Sequence, residues 1–406
     1  MSKYKAEQQK NQEQQEKQAP KIVHSSACAG AGDKPAVNPF NGQDQHWKKK
    51  KVVSLGSLGQ VDKFRAAASH PTGRAYDAAA RARKKTKGAK AKRKPRSYSK
   101  RAMDMSKCST DIWGALCPNP GCNQHYIYSA NFCRDRLCPI CEGRRSRRLF
   151  VELLKKIKYC EETYGKSRYV FLTLTIKNVE WKDLKNQGFK VLQKAWNKLY
   201  KRFEYDGVIT GWARSFECSL GDDGLAHPHI HAILQVPPAY FRAKAGLTYY
   251  KHDKITQMWR ECLGVGYDPI VDIRAVRDDY RWITNDDTIK ADYGMLYEVA
   301  KYTVKQEDLQ SLDIENFIHY VEAVKGVKLW ETGGNLRVSE KTLENFLYDV
   351  EEPKHRKGIC GKCGKFLQKV HWRWDSAAGN YHGVYCVDDA EGPLYAQRDP
   401  PYDDSA

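Results

Sequence analysis

The sequence predicts an α+β fold, a central antiparallel sheet backed by helices. Three observations carry this: an alternating β-branched and aromatic run over 168–176, two further strand patterns joined by a Gly/Asp turn, and amphipathic stretches at helical spacing between them. The first run, RYVFLTLTI, alternates as a half-buried strand does. Upstream of it, Leu149, Leu153, Leu154 and Ile157 recur at helical spacing over about 144–162. Residues 181–203 return to that spacing. The segments VITGWARSFECS (208–219) and HIHAILQV (229–236) flank the turn from Gly221 to Gly224 and so predict a hairpin. A helix over 251–263, a strand over 270–276 and a helix over about 288–305 complete the order β-α-β-β-α-β-α.

Composition narrows the partner class. The 406 residues carry a formal net charge of +20, and 81–101 alone hold twelve Lys or Arg with no Asp or Glu. Cations at this density gain most from a polyanion, because phosphate contact releases counterions. Nucleic acid is the expected partner; a solubilising arm or a basic targeting segment is the alternative reading of the block. No apolar run approaches the length of a membrane span, and the first thirty residues lack the apolar stretch of a secretory signal, so no membrane partner and a cytoplasmic location are expected. Thirteen cysteines in tight clusters suit metal coordination in a reducing compartment better than a disulfide framework.

Within His227-Pro228-His229-Ile230-His231, the two-residue period of a strand places the three histidines on one face and Ile230 on the other. His229 and His231 can chelate one ion. Glu217, on the partner strand of the hairpin, can add an oxygen ligand, giving a facial site with open positions that suits Mg²⁺ or Mn²⁺ and tolerates Zn²⁺. His227 is a reserve ligand or a phosphate contact. Further on, a helical reading of 297–305 sets Glu298 and Tyr302 four residues apart on one face, with Lys305 on a neighbouring stripe. A tyrosine hydroxyl, with a pKa of about 10, needs a nearby cation or base to attack phosphorus. Read alone, the paired histidines are as easily ordinary surface residues, and Tyr302 an amphipathic residue at the core edge.

Together these segments carry a resemblance. FLTLTI at 171–176, HPHIHAIL at 227–234 and EVAKYTVK at 298–305, with CRDRLCPIC at 133–141, resemble the motifs of plasmid rolling-circle replication initiators, in the single-tyrosine family of the HUH endonuclease superfamily. The resemblance spans about 108–305. It implies that Tyr302 attacks a phosphodiester of single-stranded or extruded origin DNA, leaving a 5′-phosphotyrosyl link and a 3′-OH, and that Glu298 later activates water. It also implies that FLTLTI lies at the sheet centre, where Thr173 and Thr175 line the site, and that a host helicase and DNA polymerase are partners. Tyr293 and Tyr297 compete for the nucleophile's role, but the motif register disfavours them. A single-tyrosine transposase or relaxase uses the same chemistry, and a zinc-dependent DNA-binding regulator without catalysis is the alternative from another class.

Cys133-x4-Cys138-x2-Cys141 needs one more ligand for tetrahedral Zn²⁺; Cys108, Cys117, Cys122 and His125 all lie near enough in sequence, with material for a second ion. Arg134, Arg136, Arg144 and Arg145 surround this knuckle and can meet phosphate. Near the other end, Cys360-x2-Cys363 followed by His382-x3-Cys386 has the spacing of a small zinc ribbon, with Trp372, Trp374, Tyr381 and Tyr385 as its miniature core or as a stacking platform for bases. The expected organisation is then a disordered basic tail (1–105), a zinc-binding cysteine cluster (106–145), a catalytic domain (146–310), a helical extension (311–350), a C-terminal zinc ribbon (351–390) and a tail (391–406).

Overall fold

The computed structural model describes residues 59–82, 96–122, 124–241, 250–276, 294–300, 306–346, 358–377 and 380–385. The described elements run α1 (Gln60–Ser69), α2 (Pro71–Ala82), α3 (Tyr98–Ser106), β1 (Asp111–Leu116), β2 (His125–Ala130), α4 (Pro139–Tyr164), β3 (Arg168–Thr175), α5 (Lys190–Asp206), β4 (Gly211–Leu220), β5 (Ala226–Val236), α6 (His252–Leu263), β6 (Val271–Ala275), α7 (Gly294–Ala300), α8 (Gln306–Ser311), α9 (Ile314–Ala323), β7 (Trp330–Gly334), α10 (Glu340–Phe346), β8 (Gln368–Asp375) and β9 (Asn380–Tyr385). They build two antiparallel sheets: β6-β3-β5-β4-β7 and β2-β1-β8-β9. The α+β class expected from the sequence is what the chain adopts.

The larger sheet follows from alternation. In β3, β4 and β5 the even-numbered residues Leu172, Leu174, Trp212, Phe216, Ile230, Ala232 and Leu234 enter one core, shared with Leu192, Trp196 and Leu199 of α5 and Trp259 of α6. The odd-numbered Tyr169, Phe171, Ala213 and Ile233 face a second core made by Phe150, Leu153 and Ile157 of α4 and Leu296, Val299 and Ala300 of α7. Helices therefore cover both faces, as a sheet with two apolar faces requires. Gly224, at φ +79°, takes the left-handed conformation in the β4–β5 turn, where a side chain would be strained. Asp223 braces that turn by accepting the Leu225 N–H at 3.0 Å. The first turns of the helix expected over 181–203 are tighter and then wider than α (Trp181–Asp183, Leu184–Phe189) before regular α5 begins, and Gly207 caps α5 at φ +67°.

Three expectations are corrected. The first is the disordered tail over 1–105: α1, α2 and α3 lie within it, and Val61, Phe64, Ala67, Tyr98, Ala102 and Met105 are buried against Phe317 and Val321 of α9. Phe64 meets Phe317 edge-on at 5.1 Å between ring centroids, and the Arg101 guanidinium lies 4.2 Å from the centre of the Phe64 ring. A sparse apolar stripe inside a polar stretch suffices when other helices complete the core. The tail expectation for 1–58 and 83–95 falls outside the described residues.

The second correction concerns the helical extension. It contains α9 and α10 but also β7, which pairs with β4 at the sheet edge, Arg214 opposite Glu331. Burial pulls the Arg214 guanidinium down to about 10 even against the charge and hydrogen bond of Glu331. Arg214 donates to Glu331 Oε2 and Gln193 Oε1, each at 2.7 Å, and to the Lys328 carbonyl at 3.2 Å, so the edge strand is tied to the sheet and to α5. The third is that the two cysteine regions are not separate modules. β1 pairs with β2 on one side and β8 on the other, so 111–130 and 368–385 share one sheet.

Candidate metal centres and nucleic-acid interface

The register of the larger sheet assembles the histidine site. Glu217 of β4 and Thr175 of β3 stand opposite His229, while Ser215 and Thr173 stand opposite His231. All are odd-numbered, so they share the face covered further along by α4 and α7, while Ile230 is fully buried on the other face. The ligand atoms of Glu217, His229 and His231 lie within 4.8 Å of one another. Nε2 of His229 and Nε2 of His231 are 3.7 and 3.3 Å from Glu217 Oε2.

The outer nitrogens hold the rings in place. His229 Nδ1 lies 3.1 Å from the His227 carbonyl, to which it can only donate, and His231 Nδ1 lies 3.1 Å from the Thr173 hydroxyl. In the neutral ring, a proton on Nδ1 leaves the Nε2 lone pair directed at the shared point, the arrangement a hard cation needs. Phe171 stacks on the His231 ring at 5.5 Å. Glu217 is only 4% exposed, and burial opposes its ionisation, yet hydrogen bonding and charge from His229 and His231 outweigh burial and hold it at about 2. The two Nε2 atoms beside its Oε2 are not in good hydrogen-bond geometry, so a cation seated among them would satisfy the buried anionic oxygen. The donor set, two imidazoles and one carboxylate on one side, fits a divalent ion with open positions.

His227 lies beside this group, not in it. Its ring centre is 5.3 Å from that of His229, and its Nδ1 is 2.6 Å from Asn178 Oδ1, while Asn178 donates to both Asp223 oxygens at 2.9 and 2.8 Å. Burial, the larger cause, and the neighbouring His229 lower its pKa, against the charge of Asp223. The expectation that Thr173 and Thr175 line the site divides: Thr173 reaches His231, whereas the buried Thr175 hydroxyl donates to the Ile270 carbonyl at 3.0 Å. Glu298 sits half-buried on α7. Tyr302, Lys305, Cys386 and Tyr293 lie outside the described residues, and the described part of the helix expected over 288–305 is 294–300.

Two four-sulfur groups could hold zinc: Cys108, Cys133, Cys138 and Cys141, and Cys117, Cys122, Cys360 and Cys363. Sulfur separations of 3.3 to 3.6 Å approach the edge of about 3.8 Å that Zn–S bonds of about 2.3 Å imply for a tetrahedron. In the first group, backbone N–H of Cys133, Arg134 and Asp135 point at Cys108, Cys141 and Cys133 sulfurs at 3.4, 3.2 and 3.5 Å. Hydrogen bonds from the other three thiols pull Cys108 far down, whereas the bond to Cys108 raises Cys133 and burial raises Cys138. A buried thiol set of this kind accepts one negative charge alone, and a divalent cation is what permits more.

These groups correct the ligand assignments made from spacing. Cys108 completes the first group, and Cys117 with Cys122 join Cys360 and Cys363. Among the described residues, neither His382 nor His125 joins either group. A short link constrains two ligands most directly, which favours neighbours in sequence, but pairing of β1 with β8 brings the distant knuckles together instead. The arginines also differ from expectation. Arg136 is buried, with its Nη1 at 3.5 and 3.4 Å from the Val324 and Val327 carbonyls past the end of α9, which gives it a structural place rather than a surface for phosphate. Arg134 is exposed in a left-handed conformation at φ +57°, Arg144 stacks on Phe132 at 3.5 Å, and Arg145 is partly exposed. Sequence reasoning missed Asp135, which accepts two bonds from Arg101 at 2.7 and 2.8 Å and one from Arg96 at 3.2 Å, locking the knuckle to α3. No helix among the described residues is long and apolar enough to cross a membrane.

Residues 124–381 match the family model described as replication protein. The chain belongs to this family. Within it, the chain is 33% identical to a "Protein rep" of Streptococcus pneumoniae over 191 residues, covering 47% of this chain and 55% of that one. It is 31% identical to a "Protein rep" of Lactiplantibacillus plantarum over 230 residues, 55% of this chain and 70% of the relative, and 28% identical to one of Lentilactobacillus hilgardii over 264 residues, 63% and 80%. The match thus spans little more than half the first relative. No solved structure is matched at a significant level. The resemblance to plasmid replication initiators drawn from the sequence motifs holds, and the matched segment contains the histidine site and five of the eight clustered cysteines but begins after Cys108, Cys117 and Cys122.

Proposed function

We propose that this replication protein starts replication by nicking single-stranded or extruded origin DNA, with His229, His231 and Glu217 holding Mg²⁺ or Mn²⁺. The observation that carries the reading is the convergence of two Nε2 atoms and a buried, ionised carboxylate on a sheet face over which α7 packs, since α7 leads directly into the Tyr302 segment. When bound, the ion polarises the scissile phosphate and shields its charge. The His227 carbonyl holds the His229 imidazole in one tautomer, and the Thr173 hydroxyl orients that of His231.

Tyr302 is the nucleophile. Its hydroxyl oxygen bonds to phosphorus as the P–O3′ bond breaks; the tyrosine proton is lost to a base, and the leaving 3′ oxygen takes one up, giving a 5′-phosphotyrosyl link and a 3′-OH for a DNA polymerase. Lys305 lowers the cost of the tyrosinate. Glu298 accepts the proton of a water or an incoming hydroxyl in the closing step. Arg134, Arg144 and Arg145 are the phosphate contacts left to the knuckle once Arg136 is assigned to the fold, and a host helicase unwinds the duplex beyond the nick.

Incubation with Mn²⁺ and labelled origin strand, resolved on a denaturing gel, should give a covalent adduct whose mass maps to Tyr302. The Tyr302→Phe protein should bind the strand unchanged and form no adduct. Adduct formation by that variant would refute the assignment and return Tyr297 or Tyr293 as candidates.

A further inference from the structure

The four-stranded sheet has one apolar face and one that is not. Ile112, Trp372 and Tyr381 are buried with Ile127, Ala130, Val370 and Trp374 packed on them. Of the four aromatics that the sequence offered as core or stacking platform, Trp372, Trp374 and Tyr381 are thus core. The opposite face carries Trp113, which is 41% exposed although it sits mid-strand. Register places His371 directly across from Trp113, Arg373 across from Asp111, Lys369 across from Ala115, and His382 across from Arg373.

This indole is held, not loose. Its ring stacks on His371 with 4.9 Å between centroids and 1° between planes. His371 Nε2 is 3.0 Å from Asp111 Oδ1, and Arg373 Nε donates to the same oxygen at 3.1 Å. Asp111 is thereby neutralised, and its carboxyl is held below the usual carboxylate range: burial opposes this, but bonds from Arg373, Thr110 and His371 prevail. Asp375, the other acid of this strand face, accepts the Ala377 N–H at 2.8 Å at the strand end. The surface around Trp113 is therefore a flat, preoriented ring with one side covered by imidazole, flanked by Lys369 and the exposed Arg373.

An exposed mid-strand tryptophan costs solvation and has no packing role on its open side, whereas an unpaired base can stack on it and phosphates can lie against adjacent cations. We propose that this face is a binding surface for single-stranded DNA, with one base stacked on Trp113 and the neighbouring backbone on Arg373 and Lys369. A duplex would hide its bases from the ring, and single strands are therefore the fitting partner. The surface is distinct from the histidine site and does not depend on cleavage.

The test uses the full, zinc-loaded chain without added Mg²⁺ or Mn²⁺, so that nicking plays no part. A short oligothymidine bearing one iododeoxyuridine should photocrosslink to the peptide containing Trp113. By fluorescence anisotropy, Trp113→Ala should weaken oligothymidine binding by about 10-fold or more, the range for loss of one base–aromatic stack. Trp113→Phe should restore most of it, and duplex binding should change little. Zinc content and the thermal transition of each variant should equal those of the parent, which separates lost stacking from lost folding. Unchanged oligothymidine binding in Trp113→Ala, or equal losses for duplex and single strand, would overturn the proposal.

Discussion

The two sheets bring groups that could hold a cation together in opposite ways. The small sheet is joined to two closed sets of four sulfurs, the first backed by N–H groups, so every coordination position of a tetrahedral ion would be taken by protein. Among the described residues, the large sheet offers three donors on one face, with a buried carboxylate oxygen beside the two imidazole nitrogens. A closed set suits a structural role and an open set suits ligand exchange. What separates the two kinds of set here is the number of ligand positions left for something other than protein.

That contrast can be broken most decisively at the closed sites. Cys138→Ser should reduce bound zinc from two ions per chain to one by elemental analysis and lower the thermal transition markedly, because α4 starts on this cluster and Asp135 ties it to α3. Two zincs and an unchanged transition would remove the structural role. At the open site Glu217→Gln should leave zinc content and fold intact but weaken Mn²⁺ binding by about 100-fold, as loss of a charged ligand exceeds the 10- to 100-fold typical of an outer partner. The same change should alter acid stability. The folded pKa of Glu217 is depressed from 4.5 to about 2, so its ionised form adds stability above about pH 4.5, and that contribution is lost as pH falls toward about 2. In urea titrations without added Mn²⁺ or Mg²⁺, the parent's stability should fall more steeply over that window than the variant's. The smallest effect is expected from Thr173→Val, which removes only the hydroxyl on His231 Nδ1. Mn²⁺ affinity should drop by about 10-fold with the fold unchanged.

Local pattern made much of this legible. Alternation fixed β3, β4 and β5, and the period of two put His229 and His231 on one face with Ile230 behind them. Counting back from a turn over Gly221–Gly224 would pair Glu217 with Pro228; the connection spans 221–225, one residue longer, and this sets Glu217 opposite His229. Helices α1 and α3 were not legible, because Phe64 and Tyr98 find their core only in α9, more than two hundred residues away. The same held for β7, a five-residue edge strand whose Trp-Glu-Thr-Gly-Gly has no alternation of its own and forms on β4. For the cysteines, spacing identified the knuckles but not their partners, since a Cys-x2-Cys pair carries half a site and no record of where the other half lies.

Zinc held by Cys117, Cys122, Cys360 and Cys363 would make the intervening chain a ring. The Cys122 and Cys360 sulfurs are 3.5 Å apart across 238 positions of sequence, and the whole five-stranded sheet lies on that ring. A cross-link closing a loop of this length would restrict the unfolded chain by about 5 kcal/mol on the chain-entropy model. Zinc there would thus tether both ends of the segment that carries Glu217, His229 and His231. A backbone cut between them would leave two fragments held together by metal as well as by packing.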